Sequence, residues 1–295
     1  MKKTRVRGVI ALASCLLATS AWAQKVTIAH IDGLSGPFAA AGESGSSEIQ
    51  FAVSKFLQGK EVGGKKLEVE VVSLDGQVNP TESLVQLRNA ISRGASYVIQ
   101  GNGSSVTHAL VDAIAKHNKR SPDQRLVLLN YGAIDPALTN QNCSFWHFSF
   151  DANLNSKMKA VGEFLTTDQD AKKVKKAFII SQDYSFGKAF ATTMRKTIND
   201  TRPDMEIVGD EVHPIGKVKD FTPYAQKIKS SGASAIFTAN WGPDMTNLVK
   251  ALDDLGVDAK LYSMYGYGMG ITSTIGKSGE NRLYVLSLSW RMNPP

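Results

Sequence analysis

The segment Gly101-Asn102-Gly103-Ser104-Ser105 follows a short apolar run, Tyr97 to Gln100, and leads into a helical stretch, Val106 to His117. Glycines there let a ligand reach the backbone. Ser104 and Ser105 offer hydroxyls at a helix start, where free N–H groups and the positive end of the helix dipole favour a carboxylate. Two other loops are built alike: Asp32-Gly33-Leu34-Ser35-Gly36-Pro37-Phe38, running on to Gly42, and Tyr131-Gly132-Ala133-Ile134-Asp135-Pro136-Ala137-Leu138-Thr139. Taken singly, each is also explained by turn and capping chemistry. The argument for binding is positional, because all three leave the carboxyl ends of expected strands, where open parallel sheets bind ligands.

Other chemistries find little support. The five histidines are His30, His108, His117, His147 and His213, and none falls in a His-Glu-x-x-His or similar metal spacing. No Gly-x-Ser-x-Gly elbow and no Walker A sequence occurs. Gly101-x-Gly103 lacks the third glycine and the ribose acid of a dinucleotide loop, and Gly266-x-Gly268-x-Gly270 fails the same test. The expectation is therefore binding without catalysis, metal or cofactor.

The elements that position these loops follow from hydrophobic period. Strands are expected at Lys25 to Ile31, Lys66 to Leu74, Tyr97 to Gln100 and Arg125 to Asn130, then at Lys175 to Ser181, Glu206 to Val212, Ala235 to Ala239, Leu261 to Ser263 and Leu283 to Leu288. Helices are expected between them at 43–58, 81–92, 106–117, 153–166, 187–199, 222–230 and 244–255, the first with Ile49, Val53, Phe56 and Leu57 on its buried side. Such alternation predicts α/β architecture with parallel sheets covered by helices on both faces.

The amino terminus reads as an export signal. Lys2, Lys3, Arg5 and Arg7 precede an apolar run from Val9 to Ala18, and Ala21-Trp22-Ala23 supplies the small residues for cleavage before Gln24. A rival is Leu12-Ala13-Ser14-Cys15, which resembles a lipobox and would tether the protein through Cys15. Removing the four basic residues of segment 1–23 takes the net charge from +7 to +3, too mild to argue for nucleic acid or an anionic membrane as partner. Cys143 is then the sole cysteine, so stability must come from a core rather than a disulfide. No later segment is long and apolar enough to span a bilayer.

From Lys25 to about Trp290 the sequence resembles the type I periplasmic binding proteins, in the branched-chain amino acid receptor branch serving ABC transporters. The resemblance is carried by Ser35-Gly36-Pro37 with Gly42, Gly103-Ser104-Ser105 with Thr107, Asp135 to Thr139, Asp183 to Gly187, and Trp241-Gly242-Pro243-Asp244-Met245. It implies two lobes, each a parallel sheet flanked by helices, closing on a solute. The expected division is an N-terminal lobe at 24–145, a second lobe at 146–288 and the start of a return hinge crossing at 289–295. The family chain continues further, so a fragment lacking the end of the first lobe is expected. The implied protein is a periplasmic monomer that hands a small solute to a permease; a subunit reporting occupancy to a membrane kinase is the alternative.

The resemblance also implies site residues. Ser104, with Ser105, would meet a ligand carboxylate, and further contacts fall on Gly132, Ala133 and Ile134. Tyr184, Phe186 and Trp241 would supply an aromatic second wall. Tyr265 stands where amino acid receptors of this family place an acid against the ligand ammonium, and Tyr262 to Tyr267 contains none. A buried ammonium without a counter-charge is costly. Asp183, Asp244 or Glu43 could substitute; otherwise the wall suits an aromatic acid or amide.

Overall fold

The computed structural model describes residues 23–268 and 270–286; the expected export signal up to residue 22, the end of the expected strand at 287–288 and the stretch 289–295 lie outside them. Two sheets form. The first contains β1 (Gln24–Asp32), β2 (Glu61–Val62), β3 (Lys65–Asp75), β4 (Tyr97–Gln100), β5 (Val127–Asn130) and β6 (His147–Ser149), in the order β2-β3-β1-β4-β5-β6. The second contains β7 (Lys176–Gln182), β8 (Glu206–His213), β9 (Ala235–Thr238), β10 (Lys260–Ser263) and β11 (Leu283–Val285), in the order β11-β10-β9-β7-β8. All pairings are parallel except β2 with β3, a hairpin closed by Gly63 and Gly64, both at positive φ. Parallel strands need covered faces, and their connections supply the covers.

The second sheet shows how period two divides a core. Phe178, Ile180 and Ile236 face α7 (Thr222–Ser231) and α8 (Pro243–Asp254), packing on Ile228, Leu248, Val249 and Leu252. Their neighbours Ala177, Ile179, Ala235 and Phe237 face α4 (Leu154–Thr167) and α6 (Ser185–Thr201), against Met158, Leu165, Phe190 and Met194. Each such large side chain contributes about 1.5–3 kcal/mol by burial. In the first sheet, Ala29, Ile31, Val98 and Leu128 pack beneath α2 (Pro80–Ser92) and α3 (Ser104–Arg120). Asn79 caps α2, accepting from the N–H groups of Thr81 and Glu82, with Pro80 at the first helical position.

Three expectations shift. The first helix, α1, spans Ala39–Phe56 behind a single 3₁₀ turn at Gly36–Phe38. It docks through Gly42, Gly45 and Val53, while Phe56 and Leu57, expected on the buried face, are exposed. Gly42 has no side chain to hold it off the Gly33 carbonyl, so the small residues set the docked face rather than the large ones. The chain also leaves the first sheet later than the expected 145/146 boundary, because β6 pairs with β5 through Leu128–His147 to Asn130–Ser149.

Candidate functional site

The carboxyl ends of β1, β4 and β5 face those of β7, β9 and β10 across a cavity of about 430 Å³. The first wall is built around Asp32, buried at the end of β1. Its carboxylate accepts from the N–H groups of Gly33 (2.8 Å), Gly101 and Asn102 (3.3 Å each) and from the Tyr131 hydroxyl (2.6 Å). One side chain thus ties the loops after β1, β4 and β5 together. Gln100 and Asn130 finish the work: Gln100 donates to the Asn102 carbonyl and accepts from Thr107, and Asn130 accepts from Gly132 and Ala133 N–H. Gly101 is required because a Cβ there would enter the Tyr131 ring, and Gly103 because its φ is +92°.

Burial alone would raise the Asp32 pKa, but His30 at 3.6 Å, the Tyr131 hydroxyl and the Gly33 N–H outweigh it and hold the carboxyl below its ordinary value. A depressed carboxylate stabilises the fold above its unfolded pKa of about 3.9, and that contribution disappears as pH falls through the folded value. The melting temperature is therefore expected to drop on acidification below about pH 4. Asp32→Asn should start lower and fall less steeply; parallel slopes would remove Asp32 as a cause.

Within this frame Ser104 begins α3, is buried and lines the cavity, and makes no side-chain hydrogen bond within the described residues. Its hydroxyl is free for a ligand. Gly132 and Ala133 line the same wall. Ser105 and Ile134 do not. The Ser105 hydroxyl turns across the interface, donating to Ser185 Oγ at 3.2 Å and accepting from Ser185 N–H at 3.4 Å. Ile134 joins the core beneath Phe186, and its carbonyl accepts from Leu154 N–H. Ala133 lines the cavity while packing on the core of the first sheet, and Ile134 packs into the core of the second.

The second wall is aromatic. Tyr184 and Phe186 lie at the start of α6, Trp241 follows β9 and Tyr265 follows β10; all four line the cavity. Trp241 Nε1 donates to the Tyr184 hydroxyl at 3.1 Å, which leaves that hydroxyl its own proton to give. Burial pushes the Tyr184 and Tyr265 pKa values up, so both phenols stay neutral donors. Phe38, from the first lobe, packs against Trp241 with centroids 4.1 Å apart and the rings tilted by 35°. It is seated by Gly216 and Gly242, both at positive φ, where a Cβ would come within 2.8 Å of its ring. This socket is not legible in the sequence, because its parts lie in three separate loops.

No acid among the described residues lines the cavity beside Tyr265. Asp151, whose charge helps raise the Tyr265 pKa, is held by buried Lys157 Nζ at 2.8 Å, and that ammonium lies 5.6 Å from the Tyr265 ring centroid. Asp244 is buried, accepts from Gln182 Nε2 (2.8 Å) and Gly216 N–H (2.7 Å), and has its pKa raised by burial. Gln182 Nε2 also reaches the Trp241 carbonyl at 3.2 Å, so this cluster shapes the Trp241 loop. Asp183 pairs with Lys188 at 2.8 Å, and Glu43 is exposed outside the cavity wall. Among the described residues the wall carries one acidic side chain, Glu48, and no lysine, arginine or histidine. A carboxylate bound here is held by N–H and O–H donors rather than by a cation. Among the described residues no group of three or more His, Cys, Asp or Glu could hold a metal ion, and no helix is long and apolar enough to cross a membrane.

Two mostly parallel sheets thus face one another across a cavity with a donor-lined wall on one side and an aromatic wall on the other. The chain belongs to the periplasmic binding protein family, whose pattern matches residues 25–295. It is 28% identical over 266 residues to the Leu/Ile/Val-binding protein homolog 4 of Brucella abortus (strain 2308), covering 90% of this chain and 62% of that protein. The leucine-, isoleucine-, valine-, threonine- and alanine-binding protein of Brucella ovis, solved in a closed conformation, superposes with a TM-score of 0.73 at 28% identity, over 88% of this chain and 65% of that one. A Rhodopseudomonas palustris solute binding protein solved with 4-hydroxybenzoate shares the fold, with a TM-score of 0.69 at 24% identity over 82% of this chain and 62% of that one. This chain thus spans somewhat under two thirds of the length of these relatives.

Proposed function

We propose that the protein is the periplasmic receptor of an ABC transporter and captures a small monocarboxylate with an apolar, planar body. Binding is its function, and closure of the lobes over the solute signals occupancy to the permease. The observation that carries the ligand class is the pairing of two walls: free donors at Ser104 on one side, and Tyr184, Phe186, Trp241 and Tyr265 on the other. An α-amino acid would bring its ammonium beside its carboxylate, and the phenol of Tyr265 supplies no counter-charge there. The benzoate-type ligands of the structural neighbours are consistent with such a wall.

A thermal-shift panel tests this reading. A ligand at 100 times its Kd adds about 2.7 kcal/mol of stability. Aromatic monocarboxylates are expected to raise the melting temperature, and leucine, valine and simple amides to leave it unchanged. Stabilisation by leucine or valine alone would return the amino acid reading. Ser104→Ala is expected to weaken the active ligand by about 1–2 kcal/mol, the worth of one hydroxyl hydrogen bond to a charged group. Unchanged affinity would take Ser104 out of the site.

A further inference from the structure

We propose that Glu48 is a specificity-determining residue that sets which charge the solute carries at the end remote from its carboxylate. This rests on the monocarboxylate reading above. Ala41, Gly45 and Glu48 stand on α1 at spacings of four and three, so they form one stripe, and all three line the cavity. The first two add almost no bulk, and α1 approaches closely there: a Cβ on Gly45 would lie 2.9 Å from the Tyr131 hydroxyl. Glu48 follows about one turn further along. Its charge is felt inside the site, being among the causes that push the Tyr131 pKa up, after burial and Asp32.

The rest of the wall is neutral. The nearby carboxylates of Asp32 and Asp244 are turned away and engaged by hydrogen bonds, whereas Glu48 meets only the Ser44 hydroxyl, at 3.3 Å. A second carboxylate on the solute would therefore face a like charge with no cation on the wall to offset it. An ammonium or another N–H or O–H donor would gain a partner. Glu48 is solvent-exposed, so the effect is that of a rim charge, up to about fivefold in affinity rather than an absolute gate.

The test compares three probes of one shape at low ionic strength: benzoate, terephthalate and 4-(aminomethyl)benzoate, titrated into the wild type and Glu48→Gln. The exposed position makes Gln a mild replacement for folding. In the wild type the ammonium-bearing probe should bind more tightly than terephthalate. In Glu48→Gln that preference should shrink about fivefold, with benzoate changing less than twofold. A preference that stays the same while benzoate binds both forms would overturn the role of Glu48 alone. Failure of all three probes with both forms would overturn the monocarboxylate reading and this inference with it.

Discussion

Trp241→Ala is expected to weaken solute binding by about 2–4 kcal/mol, the range for removing a central aromatic anchor. In Kd this is about 30- to 1000-fold. The size follows from where the indole sits. It is buried, lines the cavity, donates to the Tyr184 hydroxyl and carries Phe38 of the opposite lobe on its face. Truncation removes a ligand contact, loosens a phenol donor and breaks the Phe38–Trp241 contact between the lobes. Titration and melting, measured together, separate these effects. An affinity near wild type with a lowered melting temperature would make Trp241 a packing residue instead.

The second large effect is expected in stability, from Gly187→Ala. Gly187 lies in the first turn of α6, and a Cβ there would run into the backbone carbonyl of Gln182 at the end of β7. Neither partner is a flexible side chain, so the helix start must move. Ser181 Oγ donates to the Gly187 carbonyl at 2.9 Å, so the displacement also breaks a buried hydrogen bond. A loss of about 2–4 kcal/mol in unfolding free energy is expected by denaturant titration. Tyr184 and Phe186 flank the same turn, so the variant should also bind more weakly at temperatures where it remains folded. A loss under about 1 kcal/mol would show that the α6 start can shift freely.

Much of the frame was legible in the sequence because it is written in periodic residues. The strands β1, β3, β7 and β9 follow apolar alternation or continuous apolar runs within a residue or two of the expected limits. The strands that escaped notice are β2 and β6, two and three residues long, whose residues are mostly exposed. Of the site, Ser104, Gly132, Ala133, Tyr184, Phe186, Trp241 and Tyr265 were expected and line the cavity. Ser105 and Ile134 sit next to true lining residues, and only three-dimensional loop geometry separates neighbours of that kind.

Glu48 was missed, and Phe38 was named only as the end of a ligand-facing loop, for different physical reasons. Phe38 depends on a socket assembled from loops distant in the chain. Glu48 was hidden by reading α1 from its large apolar residues: Phe56 and Leu57 implied a buried face that the helix does not use. Once Gly42, Gly45 and Val53 are recognised as the docked positions, Glu48 falls at the edge of the cleft. Close backbone approach through glycine leaves no hydrophobic period to read.

The most direct test of the central claim is isothermal titration of the purified protein with benzoate, 4-hydroxybenzoate and leucine under identical conditions. The geometry predicts saturable one-to-one binding of an aromatic monocarboxylate, lost in Trp241→Ala, and no measurable heat of binding from leucine. Leucine binding with no response to either aromatic acid would contradict it, placing a counter-charge for the ammonium where the cavity wall shows the phenol of Tyr265.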